Sequence, residues 1–242
     1  MENLLSFLDM SGLPETDKDL VRCLEQSDVK EVRMFVLGPE GTNINQAARI
    51  WARSMGIVGK TRYRLFASED GTDPVLSYAM KAREVTESGV LVIFWTCAVY
   101  FRLNELFFTL PDTAPLFISQ SMDLDSMRLC VKPRDLPQVT DGRIPEGWRV
   151  ASHPSPTPLV GQFSNEVVAS GSNASAARSC AKGEVEACIT TESAQRIYNL
   201  ADIHIFGSPP MIFFGGITAS GVKILRELFT KMSNKLSQSR RP

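Results

Sequence analysis

Histidine is almost missing from this chain: His153 and His204 are the only two in 242 residues. That leaves few candidates for proton transfer near neutral pH and few nitrogen ligands for a metal. An excess of charge of one sign is also missing. The 26 Lys and Arg nearly balance the 27 Asp and Glu, for a net charge of −1. A chain whose main partner is nucleic acid needs a strongly basic face, so that class is set aside. Paired cysteines are absent too. Cys23, Cys97, Cys130, Cys180 and Cys188 form no CxxC, and five is an odd number. This excludes a disulfide framework and points to a reducing compartment. The opening "MENLLSFLDMSG" carries acids where a secretory signal needs bases. A cytoplasmic location is therefore expected. No apolar run reaches the ~20 residues of a membrane helix. The longest, "GVLVIFWTCAVYF" from Gly89 to Phe101, reads as a buried strand running into a following segment.

What is present is the grammar of an open α/β sheet. "EVRMFVLG" (Glu31 to Gly38) reads as a buried strand. "PEGTNINQAARIWARSMG" follows as a helix, with Ala47, Ile50, Trp51 and Met55 at helical spacing and Thr42 or Asn43 as N-cap. "TRYRLFAS" is a second strand, "DPVLSYAMKAREVTESG" a second helix, and Val90 to Phe94 a third strand. Beyond it, "PDTAPLFISQSMDLDSMRLCVKP" reads as two strands with a turn, and "DLPQVTDGRIPEG" as a Pro/Gly-rich connection. A strand enters "SHPSPTPLV" (Ser152 to Val160), a rigid polar turn. Then come a strand, a helix from about Ser175, a strand at Ala187 to Thr190, a helix through Gln195 and Tyr198, and a strand near Ile203 to Phe206. "KILRELFTKMSNKLSQSRRP" reads as a helix fraying into a solvated basic end.

Three turns share one physical design. "LGPEGTN" (Leu37 to Asn43), "ASHPSPT" (Ala151 to Thr157) and "SGSNASA" (Ser170 to Ala176) each end a strand among small or hydroxylated residues. A helix start presents N–H groups without intrahelical partners and a partial positive charge, which suits a carboxylate or phosphate. Glycine allows the backbone close to a ligand, and Ser and Thr add donors. A plain capping turn accounts for any one of them. Three in a chain with two α/β units favour an anion cleft between lobes, at the carboxyl ends of the strands. Thr190, Thr191 and Glu192 end a strand and begin a helix, which would place them in the cleft; Thr191 reads equally as a cap. Arg49, Arg178 and Arg196 lie one to two turns into helices and read as solvated.

At these residues the chain resembles the prephenate dehydratases. "GPEGTNINQAA" is similar to that family's opening Gly-Pro-x-Gly-Thr, and "SHPSPTPL" to its Ser-His-Pro segment. "GSNASAARSCAKGEVEACITTESAQRIYNL" is similar to its small-residue helix, strand and Ala-x-x-Tyr-x-Leu helix. The resemblance runs in order from about residue 33 to 206. It implies an α/β, two-lobed periplasmic-binding-protein-like (type II) fold. The implied organisation is an N-terminal extension (1–30), a catalytic unit (31–206) and a flexible basic tail (231–242). Lobe 1 would span about 31–112 plus 204–230, and lobe 2 about 113–203. The stretch beyond the catalytic unit is too short for the family's phenylalanine-sensing domain, so such feedback is not expected.

The departures from the family pattern carry as much as the matches. Dehydratases have Pro-Ile-Glu-Asn-Ser after the third strand, where this chain has Trp95 and Thr96. They have a Thr-Arg-Phe whose Thr donates a proton to the departing ring hydroxyl. Here Pro210, Met211 and Ile212 stand in that place. Carboxylate clamps without a leaving-group acid resemble the non-aromatising prephenate decarboxylases of the bacilysin pathway. There carbon dioxide leaves, the ring diene is protonated and the hydroxyl stays. The resemblance implies prephenate as substrate, no cofactor, no metal, no membrane partner, a possible homodimer, and a role in antibiotic biosynthesis. Gly41, Thr42, Ser152, Ser172, Asn173 and Thr191 would hold the substrate. Phe94, Trp95, Met211 or Phe213 would strip water from the ring carboxylate. His153 would either deliver the proton or orient the substrate; His204, a lone strand histidine, reads as structural. Two other readings stand beside it: a dehydratase with rearranged acids, and a carboxylate-binding protein without turnover.

Overall fold

The computed structural model describes residues 17–25, 27–38, 40–66, 74–108, 116–164 and 166–239. In chain order the elements are α1 (Asp17–Glu25), β1 (Glu31–Leu37), α2 (Asn43–Ser54), β2 (Thr61–Phe66), α3 (Pro74–Glu84), β3 (Val90–Cys97), α4 (Leu103–Phe108) and β4 (Leu116–Asp123). Then follow β5 (Met127–Val131), β6 (Val150–Ser152), β7 (Val167–Ala169), α5 (Asn173–Lys182), β8 (Ala187–Thr191), α6 (Glu192–Ile197), β9 (Ala201–Gly207), β10 (Pro210–Ile217) and α7 (Ala219–Ser239).

Two five-stranded sheets result, in the orders β2-β1-β3-β10-β4 and β7-β6-β8-β5-β9. Each follows one plan. Three parallel strands are joined by an antiparallel strand that arrives from the other lobe: β10 pairs with β3 and β4, and β5 pairs with β8 and β9. The chain therefore crosses between lobes twice, at residues 124–126 and 208–209. The Leu124 N–H donates to the Pro209 carbonyl at 3.0 Å and ties the crossings together. This is the two-lobed α/β architecture expected from the sequence.

Local chemistry explains the elements. The β1 and β3 strands are apolar runs, covered on both faces as parallel strands between helices are. The α2 helix turns Ile44, Ala47, Ala48, Trp51 and Ala52 into lobe 1. The α5 helix stops at Gly183, whose φ is 79°. Glycine provides that left-handed cap at little steric cost.

The lobe limits differ from those expected. The segment read as a hairpin near residues 116–131 is two strands in two different sheets, and a polar "DLDS" suits a crossing as well as a reversal. Hence β4 belongs to lobe 1 and β9 to lobe 2. The α1 helix is not a detached extension, because Leu20, Leu24 and Val29 join the lobe 1 core. Residues 1–16 lie outside the described residues. The α7 helix runs through Ser239, into the stretch read as a flexible tail; 240–242 lie outside the described residues. The β10 strand is not legible in the sequence, since it opens on Pro and carries Gly215 and Gly216. Gly215 has a packing reason: a Cβ there would stand 2.6 Å from the Ile118 side chain.

Candidate functional site

Each predicted turn sits at the carboxyl end of a strand. Thr42 caps α2: its hydroxyl donates to the Leu37 carbonyl at 2.6 Å and accepts from Asn45 N–H at 3.4 Å. Gly41 has φ 90° with nothing within 4 Å of where a side chain would begin, so the backbone is open there. Pro39 of the same turn lies outside the described residues. Ser172 caps α5 in a reciprocal box with Ser175, at 3.0 and 2.8 Å. Such a box satisfies two helix-start donors at once. Thr191 caps α6 through Ala194 N–H at 3.4 Å. All three hydroxyls are therefore engaged locally. The donors left for a ligand are the first-turn N–H groups, those of Asn43 and Ile44 on α2 and of Asn173 and Ala174 on α5.

A chain of contacts draws these helix starts together around the crossings. Asp125 N–H donates to Asn43 Oδ1 of lobe 1 at 3.3 Å. Asp125 Oδ2 accepts from Ser193 N–H at 3.0 Å, and the Ser126 carbonyl accepts from Glu192 N–H at 2.8 Å, both at the start of α6. Glu192 pairs with Arg128 at 3.1 Å, and Arg128 pairs also with Asp202. Arg128 stands directly opposite Thr190, whose hydroxyl donates to the Asn173 carbonyl at 2.8 Å. The starts of α2, α5 and α6 thus share one neighbourhood, built from both lobes.

The His153 turn reaches across at a second point. Ser152 is fully buried, and its hydroxyl donates to the His153 carbonyl at 3.0 Å. The same carbonyl accepts from Thr157 Oγ1 at 3.0 Å. Ser155 N–H donates to His153 Nδ1 at 3.3 Å. A neutral ring that accepts at Nδ1 carries its proton on Nε2. Ser155 Oγ donates to the Val99 carbonyl of lobe 1 at 2.6 Å, and the Phe101 ring meets His153 edge-on at 6.1 Å. The prolines therefore hold a turn whose seryl and imidazole groups contact the segment after β3. Thr96 lies at the end of that strand; it is fully buried, and its hydroxyl has no hydrogen-bond partner among the described residues.

Several expectations need correction. Phe94, Trp95 and Phe213 are 0, 0 and 1% exposed core residues, so they form no wall of the cleft. Met211 is half-buried against the same core. Arg49 is not simply solvated. It stacks over Tyr63 at 4.4 Å and bonds Asn45 Oδ1 at 3.0 Å and Glu40 at 2.6 Å. Arg196 pairs with Glu192, and Arg178 is exposed. His204 stacks between Phe163 and Phe206, at 5.5 and 4.7 Å. Sequence reasoning missed Arg128, Asp202 and Asp125. An arginine inside the apolar run "MRLCV" is a usable signal, since a charge buried in a strand is kept only with partners.

Among the described residues no group of three or more His, Cys, Asp or Glu is arranged to hold a metal. No helix among them is long and apolar enough to cross a membrane. An open depression of about 640 Å³ is lined by Gln138, Asp141 and Arg143 among others, in the connection that precedes β6.

The sheet orders and double crossing define a two-lobed α/β protein in which each lobe takes one antiparallel strand by a crossing from the other. No protein-family model matches the chain, and no curated protein sequence does. Solved structures do resemble it. The VFT2 domain of BvgS from Bordetella pertussis is 15% identical over 90% of this chain and 94% of that one, with a TM-score of 0.47. MatC from Rhodopseudomonas palustris, solved with bound malate, is 14% identical over 87% and 86%, also at 0.47. The ancestral amino acid-binding protein AncCDT-1, described as a precursor of cyclohexadienyl dehydratase, is 9% identical over 89% and 93%, at 0.45.

Proposed function

We propose that this chain is a cytoplasmic prephenate decarboxylase that leaves the ring non-aromatic, yielding a dihydro-4-hydroxyphenylpyruvate for antibiotic biosynthesis. The observation that carries the reading is the meeting of the α2, α5 and α6 starts around the lobe crossings, with the His153 turn joining the lobes at a second point. A diacid fits such a place: one carboxylate takes the first-turn N–H groups of α2, the other those of α5. The ring carboxyl carbon then leaves as carbon dioxide. Its bonding pair enters the ring diene, and a ring carbon takes a proton from the imidazolium form of His153, which is left as the neutral ring. The hydroxyl stays because nothing protonates it. Pro210, Met211 and Ile212, beside the crossing, offer no acid where dehydratases have a threonine.

The test is purified protein with prephenate, followed by NMR. Carbon dioxide release with a vinylic, non-aromatic product is expected, and His153→Ala should lower kcat at least about 100-fold, the usual scale of a lost general acid. Phenylpyruvate, seen by its enolate absorbance, would make the protein a dehydratase. Thermal stabilisation by prephenate without turnover would make it a carboxylate-binding protein.

A further inference from the structure

Two polar atoms of lobe 2 are buried without a partner among the described residues, and they are complementary: Arg128 Nε is a donor and Asn173 Oδ1 an acceptor. A buried polar atom left unpaired costs about 1–3 kcal/mol, so each calls for an explanation. Both belong to the α5-facing side of the lobe 2 sheet. Arg128 shares that side with Cys130, which packs under α5, and Thr190 joins them by holding the Asn173 carbonyl. The Arg128 side chain is 14% exposed, and its two terminal nitrogens are taken by Asp202 and Glu192.

We propose that Arg128 Nε and Asn173 Oδ1 form a hydroxyl-recognition subsite, which in the prephenate reading, on which this inference rests, receives the ring hydroxyl. A hydroxyl accepts from the first atom and donates to the second. A carboxylate would satisfy only Arg128 and an ammonium only Asn173. Charge agrees: Asp202 and Glu192 already match the guanidinium, so Nε is left for a neutral acceptor such as a hydroxyl. The chemistry agrees as well. Burial works against the charge on Arg128, but Asp202 and Glu192 outweigh it and hold the guanidinium above its ordinary range. Such a group donates a hydrogen bond without surrendering its proton. The hydroxyl is gripped but never turned into departing water.

The experiment compares prephenate with its analogue lacking the ring hydroxyl, by KM and by competition, in wild type, Asn173→Ala and Arg128→Lys. The lysine variant keeps the charge opposite Asp202 and Glu192 but removes Nε. Wild type should prefer the hydroxylated ligand at least about tenfold, since a site built for a hydroxyl rejects the analogue without one. Both variants should bring that ratio close to one, and Asn173→Ala should keep the wild-type melting temperature. The subsite falls if wild type turns over prephenate without discriminating, or if Asn173→Ala keeps the full preference. If neither ligand binds wild type, the prephenate reading falls and the subsite with it.

Discussion

The two lobes repeat one strand plan with opposite interiors. Lobe 1 is filled with bulk: Trp51, Trp95, Tyr78, Phe94 and Phe213 are each at most 1% exposed. The α5 side of lobe 2 is filled mainly with small residues, Cys130, Ala151, Ala176, Ala177, Cys180, Cys188 and Ala194, beside Val185 and Leu200. Small residues let α5 approach its sheet closely enough for Thr190 to bond the first residue of the helix at 2.8 Å. Large rings give lobe 1 more buried apolar area. They also leave the indole N–H groups of Trp51 and Trp95 without acceptors among the described residues. Lobe 1 is the mass of the molecule, and lobe 2 holds the closer tolerances.

That contrast puts the largest stability loss in lobe 1. Trp95→Ala should cost about 3–5 kcal/mol in urea unfolding, through lost transfer energy and a residual cavity. Ala177→Leu tests the other side. Overpacking beneath α5 should cost about 1–3 kcal/mol, and substrate KM should rise further than the stability loss explains, because the helix start is displaced. A loss on the order of 2 kcal/mol belongs to alkaline pH. Burial pushes the Cys97 thiol from 9.0 up to about 11. A raised folded pKa stabilises the fold fully below the unfolded value, and that stability is lost as pH rises through the folded one. Unfolding measured across the range should therefore show stability falling between pH 9.0 and about 11. Cys97→Ala should make that slope shallower, the remainder coming from the raised thiols of Cys130 and Cys188. The smallest effects are at the caps. Thr42→Ala and Ser172→Ala should each cost about 1 kcal/mol by thermal unfolding. Equal losses with unequal effects on KM would show which lobe grips the substrate harder.

Much of this was legible from local signals. Strand ends, helix starts and the caps at Thr42, Ser172 and Thr191 depend on neighbours within a few residues, so residue type and spacing reveal them. The site's centre was not. Arg128 gains its meaning from Asp202, 74 positions away, and no local pattern announces that pairing. The aromatic residues near β3 misled for a related reason. Proximity in sequence to a ligand-facing strand end does not say which side of the sheet a ring takes. The β10 strand was hidden because Gly215 serves a close approach to Ile118 from a distant strand.

The double crossing has a consequence for how the chain is made. Lobe 2 is one continuous stretch, from Met127 to Gly207, and emerges from the ribosome complete. Lobe 1 begins earlier but finishes later, because β10, its fourth strand and the partner of both β3 and β4, is translated after everything in lobe 2. Until Pro210–Ile217 appears, β4 has no neighbour to join it to the first three strands. The half of the protein that starts first must wait, partly unpaired, for the half that starts second.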